Sequence, residues 1–161
     1  MNKQLFQKLI KIVIAAIGVY LVTLISGSYF SLPGGAYLHL GDGLVLILSL
    51  ALPYKTALIA SVVGCAMADV SLEAYAFIIA TVITKAVMVT AVKFMIKLSD
   101  NPLTQDSLIA GLGLISVAGY FVSEFITKLE SGFLQAISIA AEGVPANILQ
   151  ALSTAVVYLA L

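Results

Sequence analysis

The chain is expected to be an all-α integral membrane protein, one bundle of six transmembrane helices with both termini in the cytoplasm. Three observations lead there. Hydrophobic residues make up 61% of the sequence and charged residues 10%, against about 45–50% and about 25% in a soluble domain. The apolar residues fall in long runs separated by short polar or Pro/Gly-rich breaks. The length of 161 residues suits roughly 20 residues per crossing plus short loops. A soluble chain this short has too little interior for so much apolar surface, and exposing it to water would cause aggregation.

The first span is expected over 8–30 and ends at Ser31-Leu32-Pro33-Gly34-Gly35-Ala36, the most loop-like stretch of the chain. Its lysine-flanked start resembles a signal peptide, but no small-residue cleavage pattern clearly follows and further spans come after, so it is read as a span. The second span, 38–52, is short, carries His39 and Asp42 at its start, and stops at Pro53. The third, 54–70, and the fourth, 74–96, are separated by a tight acidic turn near Glu73. Lys97 to Pro102 reads as a loop, followed by a fifth span at 107–126 and a sixth at 133–161 with a helix disturbance expected at Gly143 and Pro145. Residues 1–161 thus form a single membrane domain, with no clear internal repeat.

Lysine placement orients this path, because cytoplasmic loops and helix ends retain positive charge. Lys3, Lys8, Lys11, Lys55, Lys93 and Lys97 fall on one side and Lys128 on the other. The Pro-Gly-Gly loop, the turn at 70–73 and the turn at 128–132 are therefore expected outside.

Several function classes are disfavoured. Eight basic residues, all lysine, balance eight acids, so nothing marks a nucleic-acid surface. Cys65, the sole cysteine, excludes an internal disulfide and a thiolate metal cluster, and a single histidine excludes a paired-histidine metal site. No Gly-rich phosphate loop with a following Lys-Ser/Thr is present, so ATP hydrolysis would belong to other chains. No metal or cofactor is expected in this one. His39 and Asp42 could orient a water, which is a weak enzyme signal.

The informative residues are those that lipid should reject: His39, Asp42, Asp69, Glu73, Lys85, Glu124, Glu142, Asn147 and Gln150. Most fall in the outer half of the expected bundle. They suggest an outward-opening polar pocket under the Pro-Gly-Gly loop, with Tyr37 and Tyr120 supplying aromatic surface. Other readings stand beside this one. Asp69, Glu73 and Glu124 suit solvated helix ends, Lys85 suits a structural ion pair with Asp42 or Glu142, and Asn147 and Gln150 suit helix-to-helix hydrogen bonds. His39 suits an interfacial histidine. Small residues form a second pattern: Ala60, Gly64 and Ala68 recur every four positions, and Ala15, Ala16 and Gly18 cluster on the first span. They fit either docking of a membrane partner or packing inside the bundle.

Four segments resemble a known family. They are Gly34-Gly35-Ala36-Tyr37-Leu38-His39-Leu40-Gly41-Asp42, Gly64-Cys65-Ala66-Met67-Ala68-Asp69, Ile83-Thr84-Lys85-Ala86 and Pro145-Ala146-Asn147-Ile148-Leu149-Gln150. In this order and at these positions they resemble the substrate-binding S components of energy-coupling factor (ECF) vitamin transporters, in the branch related to riboflavin and hydroxymethylpyrimidine carriers. The resemblance implies a non-enzymatic six-helix carrier subunit of a bacterial plasma membrane, with the loop after the first span as its gate. It implies as partners a transmembrane coupling subunit and two ATP-binding-cassette ATPases, which would use ATP and Mg. ATP-driven toppling of the S component would carry its pocket across the membrane. The alanine-x-x-x-alanine pattern frequent on the family's first span is replaced here by Ala15/Val19 and Ala16/Tyr20.

With neither tryptophan for stacking nor arginine for clamping anions, a small heteroaromatic ligand is the expected substrate. Hydroxymethylpyrimidine or a vitamin B6 form is preferred to riboflavin. A small intramembrane enzyme and a channel or scaffold are the expectations of other classes.

Overall fold

The computed structural model describes residues 2–30 and 38–161, and every regular element among them is helical. The Pro-Gly-Gly gate and Tyr37 lie outside the described residues. Helix α1, Lys3–Tyr29, starts where Gln4 N–H donates to the Asn2 side chain at 3.1 Å, a standard way of satisfying a helix's first amides. Helix α2, Gly41–Ala51, has 11 residues and ends ahead of Pro53, which disfavours helix in the residue before it. Helix α3, Tyr54–Ser71, and α4, Ile78–Met95, follow.

Helices α5, Pro102–Ala110, and α6, Leu114–Lys128, are joined through a tight turn at Gly111–Gly113 into one helical run. That run begins ahead of the expected 107. Asn101 caps it by accepting from Leu103 N–H at 3.0 Å, and Pro102 occupies the first helical position, where a missing N–H costs nothing. Helix α7, Phe133–Ala160, carries Pro145 inside an unbroken helix. The expected disturbance is therefore limited to the hydrogen bond that proline cannot donate.

The described residues thus form six helical runs, as expected. Four of them, Lys3–Tyr29, Tyr75–Met95, Pro102–Ser131 and Phe133–Ala160, are long and apolar enough to cross a bilayer. Helices α2 and α3 are not among the four, and α2 departs most from the six-span expectation. At about 1.5 Å per residue it covers only about half of a hydrocarbon core.

Burial is inverted relative to a soluble protein. Helix α1 exposes Leu9, Val13, Ile14, Ile17, Leu21 and Ile25, while Ala15, Val19, Thr23 and Ser26 face inward. Large apolar groups outside and small or polar ones inside suit a chain solvated by lipid. α1 packs on α3 and α2, α4 sits among α2, α3 and α6, and α7 runs along α6.

Three layers stack along the bundle. At the lysine-rich end, Leu46, Val89, Val92, Ile109 and Tyr158 form a dry core. Lys93 Nζ donates to Leu52 O at 2.9 Å and the Tyr158 hydroxyl to Asp106 at 2.7 Å, closing that end. A plane of buried polar side chains lies above it. Beyond that plane, the short turn Tyr75–Phe77 ahead of α4, the end of α6 and the first half of α7 surround a cavity.

Candidate functional site

The polar plane centres on Asp42, the second residue of α2, which is fully buried. Its Oδ1 lies 2.7 Å from Lys85 Nζ and 2.8 Å from His39 Nδ1. Its Oδ2 accepts hydrogen bonds at 2.9 Å from each of Lys85, Ser116 and Gln150. One carboxylate therefore joins α2, α4, α6 and α7, and the ammonium of Lys85 balances its charge. Buried ion pairs persist when the remaining hydrogen-bonding capacity is met in this way.

His39, Asp42 and Cys65 place donor atoms within 4.8 Å of one another, a spacing compatible with a metal ion. The positive charge facing Asp42 is already supplied by Lys85, so a cation there would have to displace the ammonium.

Above Lys85 the network turns aromatic. Lys85 Nζ is 3.4 Å from the Tyr120 hydroxyl and 5.4 Å from the centre of its ring. The same hydroxyl meets Thr81 Oγ1 at 3.2 Å. The Tyr120 ring in turn packs edge-on against Phe77, with centres 6.0 Å apart. Phe77 belongs to the wall of the cavity, so this chain connects the ion pair to the cavity surface.

The cavity has a volume of about 510 Å³. Ala76, Phe77, Ile139 and Ala146 give it apolar wall, and Ser123, Glu124, Thr127, Lys128, Glu142 and Asn147 give it polar groups. This volume and this mixture are those of small-molecule sites. It lies away from the end of the bundle that holds Lys55, Lys93 and Lys97.

The model of the ECF-type riboflavin transporter S component family matches residues 6–161. The chain belongs to that family. No curated protein and no solved structure matches the chain. It is thus a multi-pass membrane transporter subunit and not an enzyme, and the resemblance to ECF S components holds.

Apart from Asp69 and Glu73 at the end of α3, the described residues singled out in the sequence gather in two places in this S component. Glu142 and Asn147 stand on the cavity wall, and Tyr120 lies directly behind it. Asp42, Lys85, Gln150 and His39 meet instead in the closed network, each at most 4% exposed. Asp42 is thereby engaged as an acceptor from several sides, which leaves little for the water-activating role considered with His39.

The small residues considered for docking also take part in packing within the bundle. Ala60, Gly64 and Ala68 are fully buried inside the chain, and Ala15 is buried too. A Cβ on Gly64 would approach Ala16 O to 2.6 Å and Val19 Cβ to 2.9 Å, and one on Gly18 would touch Leu44 at 3.8 Å. Gly64 lets α1 lie close on α3, while Ala16 and Gly18 are half-buried.

Ser116, Phe77 and the wall residues Ser123 and Thr127 were not singled out in the sequence. A signal for three of them exists: Ser116, Tyr120, Ser123 and Thr127 recur at alternating steps of four and three along an otherwise apolar helix. That is one helical face.

Proposed function

We propose that this S component captures riboflavin from outside the cell in the cavity between α6, α7 and the turn ahead of α4. The supporting observation is that cavity: about 510 Å³, walled by Phe77, Ile139 and Ala146, with hydroxyl, amide and carboxylate groups converging on it. A tricyclic ring with a polyol tail suits such a volume better than a single pyrimidine or pyridine ring. Phe77 and Tyr120 offer aromatic surface without tryptophan. Riboflavin carries no net charge, so the lack of arginine does not count against it. The family to which the chain belongs carries riboflavin in its name. Riboflavin is therefore preferred here to hydroxymethylpyrimidine and vitamin B6.

The cavity faces outward in this reading because the lysines gather at the opposite end, which also puts both termini in the cytoplasm of a bacterial plasma membrane. No ATP-binding motif is present in the chain. Uptake then draws on a transmembrane coupling subunit and two ATPases that use ATP and Mg.

The test is a titration of the purified chain in nanodiscs against riboflavin, hydroxymethylpyrimidine and pyridoxine. Micromolar or tighter binding of riboflavin, read by quenching of its fluorescence, is expected. Preference for either smaller ring would replace the proposed substrate.

A further inference from the structure

The cavity wall holds an acceptor and a donor that the protein itself leaves open. Glu124 Oε2 and Asn147 Nδ2 are both buried, neither has a hydrogen-bond partner among the described residues, and both residues line the same cavity. Asn147 as a whole is 6% exposed. Buried polar atoms without partners are uncommon and costly, and a site built to receive a ligand is one place where they persist.

Gly143 accounts for the position of the carboxylate. A Cβ at that residue would lie 2.5 Å from Glu124 Oε2 and 3.0 Å from Oε1. The end of the Glu124 side chain therefore rests against the bare backbone of α7, where any larger residue would displace it. Asn147 follows four residues later, on the same face of α7 and about 6 Å further along the axis. Helix α7 thus carries the donor about one turn beyond the glycine against which the α6 carboxylate rests.

We propose, resting on the flavin reading above, that Glu124 and Asn147 together read a ligand edge bearing an N–H beside a carbonyl. The Glu124 carboxylate accepts the N–H and the Asn147 amide donates to the carbonyl. The uracil-like edge of the flavin ring has this pattern, with its imide N–H between two carbonyls. Glu124 is then a specificity-determining residue, and Gly143 is the position that makes room for it. The apolar wall at Phe77 and Ile139 remains for the rest of the ring.

The experiment compares riboflavin with 3-methylriboflavin, whose imide N–H is replaced by N–CH₃, on the unaltered chain and on two variants in nanodiscs. The unaltered chain is expected to bind the methylated flavin at least about tenfold more weakly, the scale of one hydrogen bond to a charged group. Glu124→Ala should bring the two affinities within about twofold of each other. Gly143→Ala should do the same by moving only a flexible side-chain end, so it reports on the pairing even where Glu124→Ala folds poorly. Equal affinity of the unaltered chain for both flavins overturns the assignment and leaves riboflavin capture standing. Discrimination that survives in both variants overturns it too, because methyl bulk alone would then explain the difference. Absence of any riboflavin binding overturns the flavin reading and this assignment with it.

Discussion

Asp42 shows how far a residue's type and its job can separate. From sequence, an aspartate and a histidine three apart at the start of a short apolar helix look like pocket groups, and an ion pair with Lys85 is one of the readings they allow. In the structure that pair exists, with Ser116 and Gln150 completing the carboxylate's shell. Asp42→Asn leaves the Lys85 ammonium buried beside neutral partners and should cost about 3–5 kcal/mol, measured by unfolding in detergent. Asp42→Leu combined with Lys85→Met should cost clearly less than the two single changes added together, because the pair vanishes as a unit. Asn147 belongs to the cavity instead. Asn147→Ala should weaken riboflavin binding by roughly tenfold while leaving stability nearly unchanged, and Glu73→Ala, on an exposed turn, should leave binding as it is. Equal losses from the two changes would move the site away from α7.

At the scale of elements, the turn after α3 was legible and its conformation was not. The Glu73 N–H donates to Val70 O at 3.2 Å and the Ala74 N–H to Asp69 O at 2.8 Å, the paired bonds that end many helices with a left-handed residue. That residue is Glu73, at φ 57°, where glycine is usual. Glu73→Gly should therefore stabilise the folded chain by about 1 kcal/mol, visible as a higher unfolding midpoint in detergent. The start of α5 was hidden differently. Asn101-Pro102 reads as a loop by its composition, yet the same two residues are a cap and a first helical position. The α1–α3 contact depends on Gly64. Gly64→Val would drive a side chain into Ala16 and Val19 and should cost about 1–3 kcal/mol or more through overpacking.

For the whole molecule, lysine distribution and cavity position make one joint prediction about direction. With Cys65 buried, a single engineered cysteine is a clean probe. In intact cells, Glu130→Cys should react with a membrane-impermeant maleimide, and Lys97→Cys should react only after the membrane is opened. The reverse pattern would place the cavity on the cytoplasmic side and remove capture from outside. Energy is the second whole-molecule question. Reconstituted alone, the chain should bind riboflavin without sustained uptake, and accumulation should require the coupling subunit, the ATPases and ATP.

Composition and the spacing of apolar runs were enough to place this chain in lipid as six helical runs, because a bilayer forces the backbone to satisfy its hydrogen bonds within helices. They also marked which side chains lipid would reject. They could not tell a polar group that faces another helix from one that faces a cavity, because both are equally foreign to lipid. That depends on how the helices meet. Bundle packing carried Asp42, Lys85, Ser116 and Gln150 into one closed network, left Glu124 and Asn147 on a cavity wall, and used Gly64 to bring α1 and α3 together.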